Sequence, residues 1–349
     1  MIKHLLFPLW GLLLLPALYL SAQETAPVQT ELSLFDYLSQ ERDSLPILQL
    51  ETDWGRLIRK KRDKAYQEGS LRMALPDGST AELTAQLRTR GNMRKEVCYY
   101  PPLQVKLNKK SLKELGYGEF NKMKLVLSCK SGSREEGWLL REYLAYQLYE
   151  ILEPDIHLRT ALLRIQGWQE GSERFFFYGL LVEHEDELSA RLNAPLFERS
   201  VVRIHALDRK NYVRMCFFQY MIANTDWAVH NRHNLRILML PEKSRLAVIP
   251  YDFDYAGFVG TDYAVPHSSL PIKSVQQQHF MGSQITEEEA LEAAAWFLAC
   301  RAQIMERCET FAYLDERSKR TIQKNLTNFF ELLEDEKKMK RVFVNAAKR

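Results

Sequence analysis

Two carboxylates one residue apart, Asp252 and Asp254, stand at the end of an apolar run in the stretch IPYDFDYAG, 249–257. Upstream, a loop that follows a strongly apolar helical segment carries Asp226, then Asn231 and Asn234. Oxygen donors of this kind suit a hard divalent cation. Mg²⁺ takes few protein ligands and completes its shell with water and phosphate. The set also suits phosphoryl transfer, in which one carboxylate orients or deprotonates the attacking hydroxyl while an Asn and a second carboxylate hold the metal against nucleotide phosphates. Singly, each residue is ordinary: an Asp in a loop caps or is solvated, and an Asn there shapes a turn. Their order along the chain is what raises the set above coincidence.

The elements around them must bring them together. Between Asn234 and Asp252 run two apolar stretches, LRILML and RLAVIPY, on either side of PEKS, which reads as a β-hairpin. A short hairpin closes its two ends on each other, so Asn234 and Asp252 are predicted to be neighbours. Asp208 opens the preceding apolar helix. Further upstream, two alternating runs flank Pro76-Asp77-Gly78-Ser79 and predict a hairpin. Strands are also predicted at 47–51, 103–107, 122–128, 159–166 and 174–183, with an Arg- and Lys-rich loop, RTRGNMRKEVCYYPP, before the second of them. Leu140, Leu144, Leu148 and Ile151 recur at helical spacing over 137–152, and Pro154 ends that helix. In the last third Thr286 and Glu289 form a capping box before a long helix, and Asp315 caps another. Strands with one helix come first and helices with one hairpin second, which predicts an α+β fold in two lobes.

The totals narrow the function classes. The chain has 349 residues and a net charge of +3, a balance that gives no footing for bulk nucleic-acid or anionic-membrane binding. Residues 1–22 show a short basic start, an apolar run and small residues at Ser21 and Ala22, the layout of a cleaved export signal. The apolar run holds Pro8 and Pro16 and is short for a membrane anchor, the second reading of it. Cleavage predicts a protein in the periplasm, cell envelope or medium with no stable membrane span. Five cysteines leave at least one unpaired, none has metal-type spacing, and Cys98 with Cys129 is the only pair considered for an oxidising compartment.

Several stretches, in order, resemble the spore-coat-protein-H (CotH) kinase-like family, atypical relatives of the protein-kinase fold. RTRGNMR (88–94) with PPLQVKLNKK (101–110) is similar to its RGN loop and basic strand. LLREYLAYQL (139–148) is similar to its Arg-bearing helix, and FFFYGLLVEHEDEL (175–188) to its aromatic strand ending in an acid. NTDWAVHNRHNLRIL (224–238) resembles its catalytic loop, and IPYDFD its metal motif, with Tyr251 where Trp is common. The resemblance covers about half the chain, 88–257. It implies a two-lobed protein-kinase-like fold that uses ATP with Mg²⁺ or Mn²⁺ to phosphorylate a protein. Asp226 would be the catalytic aspartate and Asp252 a metal ligand, with Asp254 a further candidate. For the metal-binding Asn, Asn231 keeps the kinase spacing and Asn234 stands next to the strand; the hairpin favours Asn234. Lys106 would meet phosphates, with Lys124 its alternative, and Glu142 would pair with it, although Arg141 competes for the inward face. Glu183 would sit near the base, and Arg90 and Asn92 near the phosphates. The departures are the missing GxGxxG and HRD sequences; Thr225 precedes Asp226.

This gives a domain plan of a signal (1–22), a leader with one short helix (23–45), a first lobe (46–183) and a second lobe (184–349) that holds the catalytic loop 224–234 and the metal motif. Two other functions compete with the transferase. One keeps the fold as a pseudoenzyme that binds or assembles at the cell surface, since ATP is scarce outside bacterial cells. The other is a metal-dependent hydrolase built on Asp226, His230, His233, Asp252 and Asp254. The sequence assigns no oligomeric state.

Overall fold

Alternation is clearest over residues 80–89, where every second side chain is buried, and the structure shows what that buried row faces. The structure is a computed structural model and describes residues 32–40, 42–241 and 245–345. In chain order the elements are α1 (Leu34–Ser39), β1 (Ile47–Thr52), α2 (Trp54–Arg59), β2 (Gln67–Ala74), β3 (Thr80–Thr89), α3 (Met93–Val97), β4 (Leu103–Leu107), α4 (Lys109–Glu114), β5 (Lys122–Leu127) and α5 (Ser133–Leu152). There follow β6 (Thr160–Gln169), β7 (Ser172–Val182), α6 (Glu185–Arg191), α7 (Arg209–Met221), β8 (Leu235–Met239), β9 (Leu246–Pro250), α8 (Glu287–Thr310), α9 (Glu316–Glu334) and α10 (Glu336–Phe343).

The expected two-lobed protein-kinase-like α+β fold is not what forms. The first seven strands close into one barrel in the order β1-β2-β3-β4-β5-β7-β6, followed by a C-terminal helical region. Closure comes from β1. It pairs antiparallel with β2 and, on its other edge, parallel with β6, Ile47 opposite Arg164 through Glu51 opposite Trp168. A closed sheet has no free edge to protect, and its inward residues fill the lumen. Leu48, Leu71, Leu103, Val105, Leu125, Leu163 and Ile165 line that interior with almost no exposure. Phe175 stacks on Phe177 at 4.3 Å, and Trp54 of α2 meets Phe175 edge-on at 4.7 Å.

A second core lies outside the barrel. The predicted stripe Leu140, Leu144 and Leu148 of α5 packs there with Phe217 and Phe218 of α7, Phe297 of α8 and Phe329 of α9. The helix starts follow the sequence: Thr286 with Glu289 forms its capping box, and Asp208 and Asp315 cap α7 and α9 through side-chain oxygens. Leader residues 32–45 include the short helix α1; the export signal expected at 1–22 lies outside the described residues. No helix among the described residues is long and apolar enough to cross a membrane.

Cys98 and Cys129 form a disulfide with a Cα–Cα distance of 4.6 Å, while Cys216, Cys300 and Cys308 are buried free thiols. Closing a loop with that sequence separation of 31 restricts the unfolded chain by about 3–4 kcal/mol.

α1 is held by a buried polar network. Ser33 caps it and also donates its hydroxyl to Glu187 of α6. Arg159 reaches Asp36 at 2.7 Å and Glu183 at 2.8 Å. Burial pushes the Glu187 carboxyl up to about 7, against the pull of the Ser33 hydrogen bond. The folded state therefore holds this proton more tightly than the unfolded chain. The group penalises folding in full above pH 7, and the penalty fades as pH falls toward 4.5. Glu187→Gln keeps the acceptor for Ser33, so it is expected to raise unfolding free energy at pH 8 by about 1–3 kcal/mol and to flatten the rise below pH 7. Urea denaturation of both proteins at pH 5 and pH 8 measures this.

Candidate functional site

The loop after α7 is shaped by its own side chains. Ala223 turns the chain with a φ of 52°. Asn224, buried, anchors its amide on Gln219 and accepts the Asp226 N–H on Oδ1 at 3.0 Å. Ala228 and His233 exchange backbone hydrogen bonds of 3.1 and 2.9 Å, which closes the loop on itself. Arg232 and Asn234 both adopt left-handed backbone, a conformation that Asn tolerates well. Asp226 ends up fixed from two sides. His233 Nε2 lies 2.9 Å from Oδ1, and Asn234 Nδ2 donates to Oδ2 at 2.9 Å and to the Asp226 carbonyl at 2.8 Å. The hydrogen bond that His233 makes to the Asp226 carboxylate raises the His233 pKa.

The hairpin of β8 and β9 does what its sequence predicts. Leu235 pairs with Pro250, and the Tyr251 N–H continues the ladder to the Asn234 carbonyl at 3.0 Å. Asn234 and Asp252 thus stand at the same end of the hairpin. Asp252 leaves the strand with a φ of 63° and donates its N–H to the Tyr146 hydroxyl of α5 at 2.8 Å. Phe253 turns inward, fully buried against Tyr146 and Phe218. Two bonds of 3.0 Å, Gly257 N–H to the Ala223 carbonyl and Phe258 N–H to the Ile222 carbonyl, lock the acidic motif to the Asp226 loop. Gly257 has no room for a side chain, since a Cβ there would meet the Val275 carbonyl at 2.4 Å.

Four acids gather here, and three have partners. Arg94 of α3 is buried between Glu142 of α5, which it ion-pairs, and Asp254, whose Oδ2 it reaches at 2.9 Å. Tyr263 also donates to Asp254 Oδ2 at 2.9 Å. Burial pushes Glu142 up and the Arg94 guanidinium pulls it back; Arg94 itself stays charged. Asp226 has His233 and Asn234. The Asp252 carboxylate makes no hydrogen bond or ion pair among the described residues. Burial, then Asp254, push it up to about 6. The Asn234 Oδ1 is likewise unbonded among the described residues, because its amide nitrogen is committed to Asp226. Asp226, Asn234, Asp252 and Asp254 line a cleft of ≈ 350 Å³ with Arg90, Asn92, Asn231 and Tyr255, and Glu142 is buried behind it.

An unpaired carboxylate and an amide oxygen at one hairpin end fit Mg²⁺ or Mn²⁺, which take oxygen donors and leave places for water and phosphate. Among the described residues no group of three or more His, Cys, Asp or Glu could hold a metal ion by itself. Any cation here would therefore draw on Asn234 and on ligands outside the chain.

The other expected residues fall into three places. Arg90 and Asn92 stand at the cleft, on the loop that leads into α3. Asn231 is exposed at the rim, where its Oδ1 accepts the His233 N–H at 3.2 Å as a turn residue does. Asp254 and Glu142 are in the site but are engaged by Arg94. Lys106 and Glu183 are not in it. Lys106 is exposed on β4, opposite Lys122 of the next strand. Glu183 is fully buried between Arg159 and Arg191, each at 2.8 Å, and it braces β7 against α6. Among the described residues the buried lysine is Lys124 of β5, ion-paired with Glu185, which Arg236 also contacts. Burial lowers the Lys124 pKa to about 8. His230 faces a separate groove with Trp227 and Met281.

No family model matches the chain, and no curated protein matches it. Among solved structures, one similar to it is the Helicobacter pylori proinflammatory kinase CtkA, at 9% identity and a TM-score of 0.35 over 70% of this chain and 92% of that one. A likeness at that level fixes neither fold nor activity.

Proposed function

We propose that this cleft binds ATP through Mg²⁺ or Mn²⁺ and transfers its terminal phosphoryl group to a hydroxyl of a protein acceptor. The observation that carries the reading is the Asp252 carboxylate, half-buried and unpaired among the described residues, in a cleft whose other acids have partners. A buried charge without a partner is costly, and a cation relieves that cost. When bound, the cation would screen the phosphate charge and bridge it to the protein.

The chain's own groups have these roles. Asp252 and Asn234 Oδ1 would hold the cation. Arg90, at the cleft wall, would meet phosphate oxygens. Asp226, oriented by His233 and Asn234, would accept the proton of the attacking hydroxyl as its oxygen bonds to phosphorus and the bond to the leaving diphosphate breaks. Arg94 would hold Asp254 and Glu142 neutralised beneath the motif. The exported location read from residues 1–22 belongs to this proposal; the Cys98–Cys129 bond supports an oxidising compartment.

The test is ATP binding followed by thermal shift with and without Mg²⁺ or Mn²⁺, and label transfer from γ-labelled ATP. Asp226→Asn is expected to keep the metal-dependent shift and to lower transfer by about 10³-fold. Metal-dependent binding with no transfer in the wild type identifies a binding module instead. No shift with either metal sinks the nucleotide reading.

A further inference from the structure

We infer that the Cys98–Cys129 disulfide positions Arg94 in the cleft, so that reduction by a dithiol loosens the acidic motif and weakens nucleotide binding while the barrel stays folded. The nucleotide part of this rests on the function proposed above; the positioning part does not.

The covalent bond and the buried ion pair tie the same two segments. Arg94 lies one turn before Cys98, whose N–H it accepts at 2.9 Å. Cys129 lies between the end of β5 at Leu127 and the start of α5 at Ser133. Helix α5 carries Glu142, which Arg94 pairs with, and Arg94 also holds Asp254. So the chain runs from disulfide to α3, to Arg94, to the acidic motif, and back along α5 to the disulfide.

Little else holds α3 in place. It has five residues, and Asn92 at its start makes no side-chain cap bond. A helix that short has no stability of its own. Met93, Val97 and Tyr99 are exposed, at 48%, 41% and 54%, so the segment has scant apolar anchorage. Its buried members are Arg94 and Cys98. Past Cys98 the Tyr100 ring packs on Phe175 and Phe177 at 4.6 and 5.2 Å; the ties of α3 itself are polar, Lys61 Nζ to the carbonyls of Glu96 and Cys98 at 3.1 and 2.9 Å and the exposed Arg62–Glu96 pair, and the Tyr100 N–H meets the Cys129 carbonyl at 3.1 Å. The barrel needs none of this, since β4 and β5 are each paired on both edges.

Cys129 is the partly exposed partner and Cys98 is buried. A dithiol's thiolate attacks the Cys129 sulfur, and Cys98 leaves as the thiolate and takes up a proton. The dithiol's second thiol then displaces Cys129 and becomes a cyclic disulfide, leaving two protein thiols. The dithiol is oxidised by two electrons and the protein disulfide is reduced by two.

The test compares the full chain oxidised, the chain reduced with dithiothreitol and alkylated, and the double variant Cys98→Ser/Cys129→Ser. Hydrogen exchange by peptide and Mn²⁺-dependent ATP affinity are read in each. Reduction is expected to speed exchange at 90–98 and at 251–257, to leave barrel peptides protected, and to weaken ATP binding on the order of tenfold. A core variant, Ile165→Val, should lower the melting temperature without either change, which separates positioning from general destabilisation. Faster exchange that stops at 90–98 and spares 251–257 overturns the inference, as does unchanged ATP affinity in a reduced protein that remains folded. If neither redox form binds ATP but 251–257 still loosens on reduction, the positioning stands and the nucleotide reading falls.

Discussion

Arg94→Met lowers unfolding free energy by about 3–5 kcal/mol, the range for removing one partner of a buried ion pair. The physical reason is what the arginine leaves behind. Glu142 is 1% exposed and Asp254 5% exposed, so neither can recover its charge by meeting water. With the guanidinium gone, nothing offsets the burial and the neighbouring Asp254 and Asp252 charges that push the Glu142 carboxyl up. The sign of the pH dependence follows: the folded variant binds protons more tightly than its unfolded chain, so it gains stability as pH falls from 8 toward 4, more than the wild type does. The triple variant Arg94→Met/Glu142→Gln/Asp254→Asn removes the stranded charges and should recover most of the loss. Urea denaturation at pH 8 and pH 5 measures all of this. A single variant that loses under 1 kcal/mol at pH 8 would mean that water reaches these acids.

Asp252→Asn is expected to separate stability from binding. Asn adopts the left-handed backbone that Asp252 occupies at φ 63°, so the motif keeps its path. The change removes a carboxylate that burial and Asp254 push up to about 6. Above pH 6 that carboxylate penalises the folded state, and the penalty fades as pH falls toward 3.8, where it protonates in the unfolded chain as well. Without ligand at pH 8, the variant should therefore be more stable than the wild type, by on the order of 1 kcal/mol. The metal-dependent ATP shift should vanish, because an amide is a far weaker ligand than a carboxylate. In the wild type that shift should weaken below about pH 6, as protons compete with the metal at Asp252. A variant that loses stability yet keeps its shift would assign Asp252 a structural role.

The parts of the site legible in the sequence are those joined by short-range geometry. A tight hairpin places residue 234 beside 252 whatever surrounds it, and the helix before the loop sets where Asp226 begins. Patterning also reveals α5 and the helix caps, because each is a local matter of spacing and side-chain oxygens. Barrel closure is different. The β1–β6 pairing joins Ile47 to Arg164 across four intervening strands and the helices between them, and nothing in either strand's own pattern names its partner. An open two-lobed fold is the natural reading until that edge is seen to close. The lysine choice fails to resolve for a similar reason. Lys106 and Lys124 both point outward from the barrel, and only the docking of α6 decides that Lys124 is covered by Glu185 while Lys106 is not. Glu183 directly follows its strand, which ends at Val182, and Arg159 and Arg191 converge on it from distant positions and turn it into a brace. Arg94 is the residue whose part is least visible beforehand. In RTRGNMR it looks like one of three basic loop residues, and its burial depends on Glu142 and Asp254 arriving from elsewhere.

The most direct measurement is the position of bound Mn²⁺, taken from anomalous scattering at the manganese edge in crystals grown with Mn²⁺ and a non-hydrolysable ATP analogue. One peak is expected within coordination distance of the Asp252 carboxylate and Asn234 Oδ1, about 2.0–2.3 Å from each, with analogue phosphate oxygens completing the shell. A peak bound instead by Asp226 and His233, or no peak at the hairpin end in crystals that contain the analogue, would contradict it.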